Sequence, residues 1–346
     1  MSEFQIAGRK IGSAYPPFII MEAGINHEGS FEKAVQLVDA AKSNGADCIK
    51  FQCHITEEEM IPTDMKPGKI SSERLWDIIK RCELSEVEER SIQDYCAQKG
   101  ILYFSTPFSR AAADRLNAAG VPGFKIGSGE CNNYPLIEHI ARMKKSIILS
   151  TGMNDIKSIA RSVQIIRSHD CPLILMHCTS MYPTPYDKLR LGAIQELKDA
   201  FQLEVGISDH SKGIYTCLGA IALGACAVEK HFTCSHDWPG PDIPVSIDPE
   251  ELKELVIGGK AIWQALGGSK TILADEKPVI DFAYATVVTI RPIRKGEKFS
   301  YSNTWVKRPG TGPILAKDLD EVLKCVAARD LPENVHIAPG DIVDFK

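Results

Sequence analysis

Lys125-Ile-Gly-Ser-Gly-Glu130 is a short apolar run that turns polar only towards its C-terminal end. Seven further segments share the form: Phe18-Ile-Ile-Met-Glu22, Cys48-Ile-Lys-Phe-Gln52, Leu102-Tyr-Phe-Ser-Thr106, Ile147-Ile-Leu-Ser150, Leu173-Ile-Leu-Met-His177, Val205-Gly-Ile-Ser208 and Val228-Glu-Lys-His231. A strand buried on both faces of a parallel sheet reads as a brief continuous apolar run. Eight such runs, each gaining Glu, Gln, Lys, Ser, Thr or His as it ends, predict an α/β fold of the (β/α)8 TIM-barrel type. That fold gathers its chemistry at the C-terminal ends of its strands.

The intervening segments carry helix signals. Ser30 caps a predicted helix through Asn44, stopped by Gly45, with Ala34, Leu37, Val38 and Ala41 as its apolar stripe. Ser85 and Glu88 have capping-box spacing before a helix to about Gln98, and Asn133 with Pro135 opens another. Further helical patterns fall near 155–168, 191–201, 214–223 and 249–266. A doubly wound sheet would alternate in the same way, but eight units are hard to lay out as one open sheet.

A barrel takes roughly 250 residues, which leaves a remainder in a chain of 346. Near 281–285 helical periodicity gives way to Thr286-Val-Val-Thr-Ile-Arg-Pro-Ile-Arg-Lys-Gly-Glu297, and Pro and Gly punctuate the chain from there to its end. The expected organisation is a barrel over 1–280 and a small β-rich domain over 285–346.

A net charge of −5 and a pI near 6.0 argue against nucleic-acid or anionic-membrane partners. No apolar run approaches a transmembrane length, and Met-Ser-Glu-Phe lacks the basic and apolar regions of a signal peptide. The 11 cysteines include Cys48 and Cys226 inside apolar runs and form no C-x-x-C pair. Reduced thiols in a cytoplasmic protein are the expectation.

Lys50 and Lys125 stand in runs that bury them, where an unpaired ammonium is costly. Either they form structural ion pairs with Glu22 or Glu130, or they build an anion site with the hydroxyls of Thr106, Ser128, Ser150 and Ser208. His210 and His231 follow adjacent strands; two imidazoles with Glu22 across the rim would suit a divalent transition metal. His177 and His27 are weaker candidates, and His27 more plausibly orients the loop after Glu22. His236 and Asp242 lie in a Pro/Gly-rich loop placed either to cover the mouth or simply to connect.

Taken in order, Glu22-Ala-Gly-Ile-Asn-His-Glu-Gly-Ser30, Ser105-Thr-Pro-Phe-Ser109, Lys125-Ile-Gly-Ser-Gly-Glu-Cys-Asn-Asn-Tyr-Pro-Leu136, Ser150-Thr-Gly-Met153, Tyr182-Pro-Thr-Pro185, Ser208-Asp-His210, Glu229-Lys-His-Phe-Thr233, Gly240-Pro-Asp-Ile243 and Trp305-Val-Lys-Arg-Pro-Gly310 resemble the sialic acid synthase family. The resemblance spans nearly the whole chain, and the C-terminal part is similar to the family's antifreeze-like (SAF, β-clip) domain. It implies metal-dependent condensation of phosphoenolpyruvate with an N-acetylated amino sugar. Gly129-Glu-Cys-Asn-Asn-Tyr-Pro-Leu136 and Asp281-Phe-Ala-Tyr-Ala-Thr286 lean towards the branch using N-acetylmannosamine to give N-acetylneuraminate, the alternative being a bacillosamine-derived sugar giving legionaminic or pseudaminic acid. By motif, His210 and His231 would bind the metal, with Mn2+ favoured over Mg2+ or Co2+. Lys50, Thr106, Lys125, Ser128, Ser150 and Ser208 would hold phosphoenolpyruvate. Glu22, Gln52, Glu130, Tyr182, Asp242 and Arg308 would bind or activate the sugar and its water, the roles of Glu22 and Glu130 being interchangeable. The family also implies a domain-swapped homodimer in which the SAF domain completes the partner's site. Departures lie on the acceptor side: Phe51 and Cys53 replace a histidine and a threonine, Ser180 replaces an asparagine, and 66–74 lacks an asparagine-containing turn. A non-catalytic sugar binder and a phosphoenolpyruvate-independent aldolase are the competing functional classes.

Overall fold

The computed structural model of the protein describes residues 4–68 and 70–343. They form two compact units that divide between Gly267 and Gly268.

The first unit opens with a hairpin of two three-residue strands, β1 (Phe4–Ile6) and β2 (Arg9–Ile11). Eight parallel strands come next: β3 (Phe18–Gly24), β4 (Cys48–Cys53), β5 (Leu102–Pro107), β6 (Gly123–Ile126), β7 (Ser146–Ser150), β8 (Leu173–Cys178), β9 (Val205–Asp209) and β10 (Ala227–His231). They form one sheet in the order β5-β4-β3-β10-β9-β8-β7-β6, and its two ends, β5 and β6, also touch. The eight strands coincide with the eight apolar runs to within a few residues. The largest difference is at β6, which ends at Ile126, so that Gly127–Glu130 is a turn in which Glu130 N donates to Gly127 O (3.1 Å).

Side chains alternate across a strand, and this alternation builds the site. On the inward face Phe18, Ile20, Cys48, Phe104, Ile148, Ile174, Met176 and Ala227 pack with Phe4, Ile6 and Ile11 of the hairpin. The hairpin therefore plugs the N-terminal end. Two residues further along the same faces come Glu22, Lys50, Thr106, Ser150, Ser208 and Glu229, all buried. The outward faces pack under the helices in one continuous apolar layer.

The expected caps are present: Ser30 accepts from Lys33 N, Ser85 and Glu88 form a reciprocal capping box, and Asn133 accepts from Leu136 N. Gly100 ends its helix at φ 68°, in the left-handed region that a side chain would strain. The helix Arg110–Ala118, capped by Ser109, is not evident from the sequence pattern. Its buried stripe is Ala112, Ala113 and Leu116, too small to stand out as an apolar period. The hairpin is likewise silent in the sequence, its strands being too short to show alternation.

The second unit pairs β11 (Thr286–Thr289) antiparallel with β12 (Thr304–Lys307), with further bridges such as Val288–His336 and Ala327–Ile342. Val287, Ile293, Phe299, Ile314, Val322 and Ile337 form its own core. Helix Lys277–Ala283 belongs to this unit, where Gly310 N donates to Asp281 O (2.7 Å). Residues 268–280, expected at the end of the barrel domain, thus lie in the second unit. Among the described residues no helix is long and apolar enough to cross a membrane, and all eleven cysteines are unpaired.

Candidate active site

At the C-terminal ends of the barrel strands lies a cavity of about 340 Å3. Its wall includes Glu22, Lys50, Gln52, Thr106, Lys125, Ser128, Ser150, Tyr182, Ser208, His210, Glu229 and His231. Ile70, Phe108, Met153 and Ser180 complete the rim on one side.

The floor is an alternating lattice of charge. Lys50 Nζ lies 2.5 Å from Glu22 Oε2 and 3.6 Å from Glu229 Oε1, and it donates to Thr106 Oγ1 at 3.0 Å. Lys125 Nζ lies 2.9 Å from the same Glu229 oxygen, which also accepts from Ser208 Oγ at 3.2 Å. Gln52 Nε2 donates to Glu22 Oε1 at 2.8 Å. Both lysines are therefore ion-paired: Lys50 chiefly to Glu22, and Lys125 to Glu229 rather than to Glu130.

Burial disfavours charge on Glu229, but Lys125 and Lys50 outweigh it and hold that carboxyl down at about 2. Burial pushes the Glu22 carboxyl up against the pull of Lys50, and it pushes Lys125 down against Glu229. Of the two floor carboxyls, Glu22 is the one whose proton affinity burial raises, while the lysines hold Glu229 as an anion. Glu229 Oε2 and Ser150 Oγ are buried without a hydrogen-bond partner. Two ammonium groups beside an orphaned hydroxyl make a site able to receive an anionic ligand, which would share the lysines with the carboxylates.

The histidine rings lie with centroids 5.3 Å apart. The Tyr182 ring lies tilted against that of His210, centroids 4.2 Å apart, and meets His231 edge-on at 6.0 Å. His210 Nδ1 faces Thr179 O at 3.3 Å, so a proton there leaves Nε2 as a lone-pair donor. His231 Nδ1 is buried with no hydrogen-bond partner, 3.5 Å from Asp242 Oδ2. Burial, then His210 and Lys50, keep the His231 imidazole neutral by lowering its pKa well below the usual histidine value. Burial and then Glu22 push the Asp242 carboxyl up to about 6. Against its burial, Cys178 beside it raises the His210 pKa. Two imidazoles, that of His231 neutral with an orphaned nitrogen beside the Asp242 carboxyl, are donors of the kind a divalent transition metal takes.

Away from the barrel mouth, His236, Asp248 and Glu251 bring three potential metal ligands within 4.8 Å of one another. Asp248 and Glu251 are already engaged as the reciprocal capping box of helix Pro249–Ala265.

Some sequence candidates lie elsewhere. Glu130 is half-buried and absent from the cavity wall; its Oε2 accepts from Asn133 Nδ2 at 2.5 Å. Arg308 is exposed in the C-terminal unit. His177 bonds Leu189 O at 2.7 Å and His27 Nδ1 accepts from Gly29 N at 3.1 Å, so both hold backbone. Glu229 belongs to the floor although its sequence context alone assigns it no role. A signal is present nonetheless, since it stands two residues before His231 and so on the same inward face.

Residues 37–271 match the model of the NeuB family, and residues 284–343 match that of the SAF domain. The chain is 40% identical over 345 residues to an uncharacterised protein of Methanocaldococcus jannaschii, covering 99% of each. It is 37% identical over 326 residues to the N,N'-diacetyllegionaminic acid synthase of Campylobacter jejuni, covering 91% of this chain and 97% of that one. The crystal structure of a sialic acid synthetase from Leptospira borgpetersenii, in complex with citrate, matches with a TM-score of 0.74 at 35% identity. That match covers 81% of this chain and 95% of the other.

Proposed function

Because the chain belongs to the NeuB family, with an SAF domain after its barrel in the chain, we propose that it condenses phosphoenolpyruvate with an N-acetylated amino sugar and water. The products are a nine-carbon 2-keto acid and phosphate. The acceptor is N-acetylmannosamine, which the sequence motifs favour, or a diacetamido relative of it. The observation that carries this reading is the union, in one cavity, of a two-lysine floor with a two-histidine wall.

Lys50 and Lys125 hold the phosphate and carboxylate of phosphoenolpyruvate, with Thr106, Ser128, Ser150 and Ser208 donating to its oxygens. Glu229 keeps both ammonium groups aimed at the same point. His210 and His231 would hold a divalent cation, Mn2+ being the first choice, which when bound polarises the open-chain aldehyde of the sugar. C3 of the enol ester then forms a bond to the aldehyde carbon. Glu22, raised by burial and fixed by Gln52, supplies the proton to the aldehyde oxygen. C2 is left electron-poor beside the fixed anion of Glu229, which stabilises it while water adds. The adding water gives a proton back to Glu22, and phosphate departs with the C2–O bond, taking the proton of the new C2 hydroxyl and leaving the ketone. Glu130 could take part only by exchanging Asn133 for substrate.

Incubation with phosphoenolpyruvate, Mn2+ and an N-acetylhexosamine panel tests this, with products identified by mass spectrometry. Phosphate release should require both phosphoenolpyruvate and sugar; a product formed without phosphoenolpyruvate would establish an aldolase instead. His210→Ala and His231→Ala should each lower bound Mn2+, read by electron paramagnetic resonance, with circular dichroism unchanged. Undiminished metal in both variants would remove the histidines from that role.

A further inference from the structure

The turn that follows β7 holds a conformation that its own sequence does not favour. Met153 sits at φ 60°, in the left-handed region that a non-glycine residue enters at a cost and keeps only where its surroundings over-determine it. Its side chain is exposed and stands on the rim of the barrel-mouth cavity. The group that fixes this turn is the next residue, Asn154, which is half-buried and absent from the cavity wall.

Asn154 Nδ2 donates to Gly152 O at 2.7 Å, within the turn after β7, and to Ser128 O at 3.1 Å, in the turn after β6. Its Oδ1 accepts from Ser158 Oγ at 3.2 Å, in the first turn of helix Ile156–Ser168. Both carbonyls can only accept, so they fix which end of the carboxamide faces them and use both of its N–H groups. Alongside, Gly152 N donates to Ser128 Oγ at 3.0 Å, which leaves the hydroxyl proton of Ser128 for another acceptor. The two turns approach so closely that a Cβ on Gly152 would lie 2.8 Å from Ser128 Oγ.

We propose that Asn154 is a positioning residue for the anion site: it clamps the β6 and β7 turns together, so that the hydroxyls of Ser128 and Ser150 converge on phosphoenolpyruvate. This rests on the reading of the barrel mouth as the phosphoenolpyruvate site. The sheet does not tie these turns to each other, because β6 ends at Ile126 and β7 at Ser150. Their relative placement falls to the bonds from Asn154 and Gly152. Ser150 Oγ is buried without a partner, ready for a ligand oxygen. Without the clamp the ligand itself must order the two hydroxyls, which lowers its affinity.

Asn154→Asp keeps the shape of the side chain but removes both donors and sets a carboxylate against two carbonyl oxygens. Calorimetric titration with phosphoenolpyruvate, without sugar, should show about a tenfold loss of affinity. Steady-state kinetics should show a matching rise in KM with kcat little changed, since the contact serves ground and transition states alike. Asn154→Ala, which removes the donors without adding charge, carries the same expectation should Asn154→Asp fold poorly. The loss should shrink several-fold when Ser128→Ala is already present, because residues that act through one another are not additive. Unchanged affinity, an equal loss in both backgrounds, or a fall in kcat with KM unchanged would overturn this role and leave the phosphoenolpyruvate reading intact. Absence of phosphoenolpyruvate binding by the wild-type protein would overturn both.

Discussion

At the scale of single residues, the pairing of Lys125 with Glu229 makes the anion site measurable. Lys125→Met removes one charge-assisted contact, a loss of about 1.5–3 kcal/mol, or roughly ten- to a hundredfold in affinity. Calorimetric titration with phosphoenolpyruvate in the absence of sugar should show that loss; unchanged affinity would make Lys125 purely structural. His27 makes a separate prediction. Burial, then neighbouring His54, lowers its pKa from 6.5 to about 4. Between those values the unfolded chain binds more protons, so stability rises with pH there and is lost as the solution is acidified from about 6.5 towards 4. The full effect is about 3 kcal/mol by the usual conversion. Urea unfolding at pH 7 and pH 5 should show a smaller acid loss for His27→Gln, which retains an acceptor for Gly29 N. Identical losses in the two proteins would exclude His27 as the titrating group.

At the scale of elements, β9 and β10 are locked by a buried pair that no local pattern announces. Lys230 and Asp209 face each other in the parallel register, both fully buried on the side away from the cavity. Asp209 accepts from Lys230 Nζ at 2.9 Å, Ser211 N at 2.9 Å and Thr216 Oγ1 at 2.8 Å. The next residue along each chain is a histidine of the site. Removing one member strands the other charge, so Asp209→Ala should cost about 3–5 kcal/mol. Replacing both, as Asp209→Leu with Lys230→Met, should recover most of that loss, since a packed apolar pair often equals a buried ion pair in stability. Thermal and urea unfolding of the two variants measure it. A single substitution costing under about 1 kcal/mol would mean that the pair is not what holds these strands in register. The eight strands themselves are legible in the sequence because each is a brief apolar run with a polar end. Helix Arg110–Ala118 is not, because alanine covers its buried face.

At the scale of the whole molecule, the two units bear on activity together only if the C-terminal unit reaches a barrel. Arg308 follows β12, exposed, near the exposed aromatic pair Tyr301 and Trp305, whose rings lie 6.0 Å apart. If the active unit is a dimer in which this loop enters the partner's sugar pocket, Arg308→Ala and Lys125→Met should each be nearly inactive alone. Mixed and allowed to exchange subunits, they should recover up to roughly a quarter of wild-type activity, because a statistical mixture holds half heterodimers, each with one intact site. Verified heterodimers without recovered turnover would refute the arrangement.

The sequence by itself determined the eight strands, their order along the chain, most of the caps and the inward parity that sends Glu22, Lys50, Lys125, Ser208 and His231 to one mouth. Those features follow from backbone periodicity and from donors within a few residues, so a linear reading reaches them. Closure of the barrel decided the rest. It gave Lys125 a partner 104 positions away in Glu229 and left Glu130 with Asn133, three residues on. It also set the amphipathic helix Leu75–Cys82 so that Leu75, Ile78 and Ile79 share a cavity wall with His231. Charge partners and pocket walls depend on distances across the sheet, and those exist only once the strands have curved round to meet.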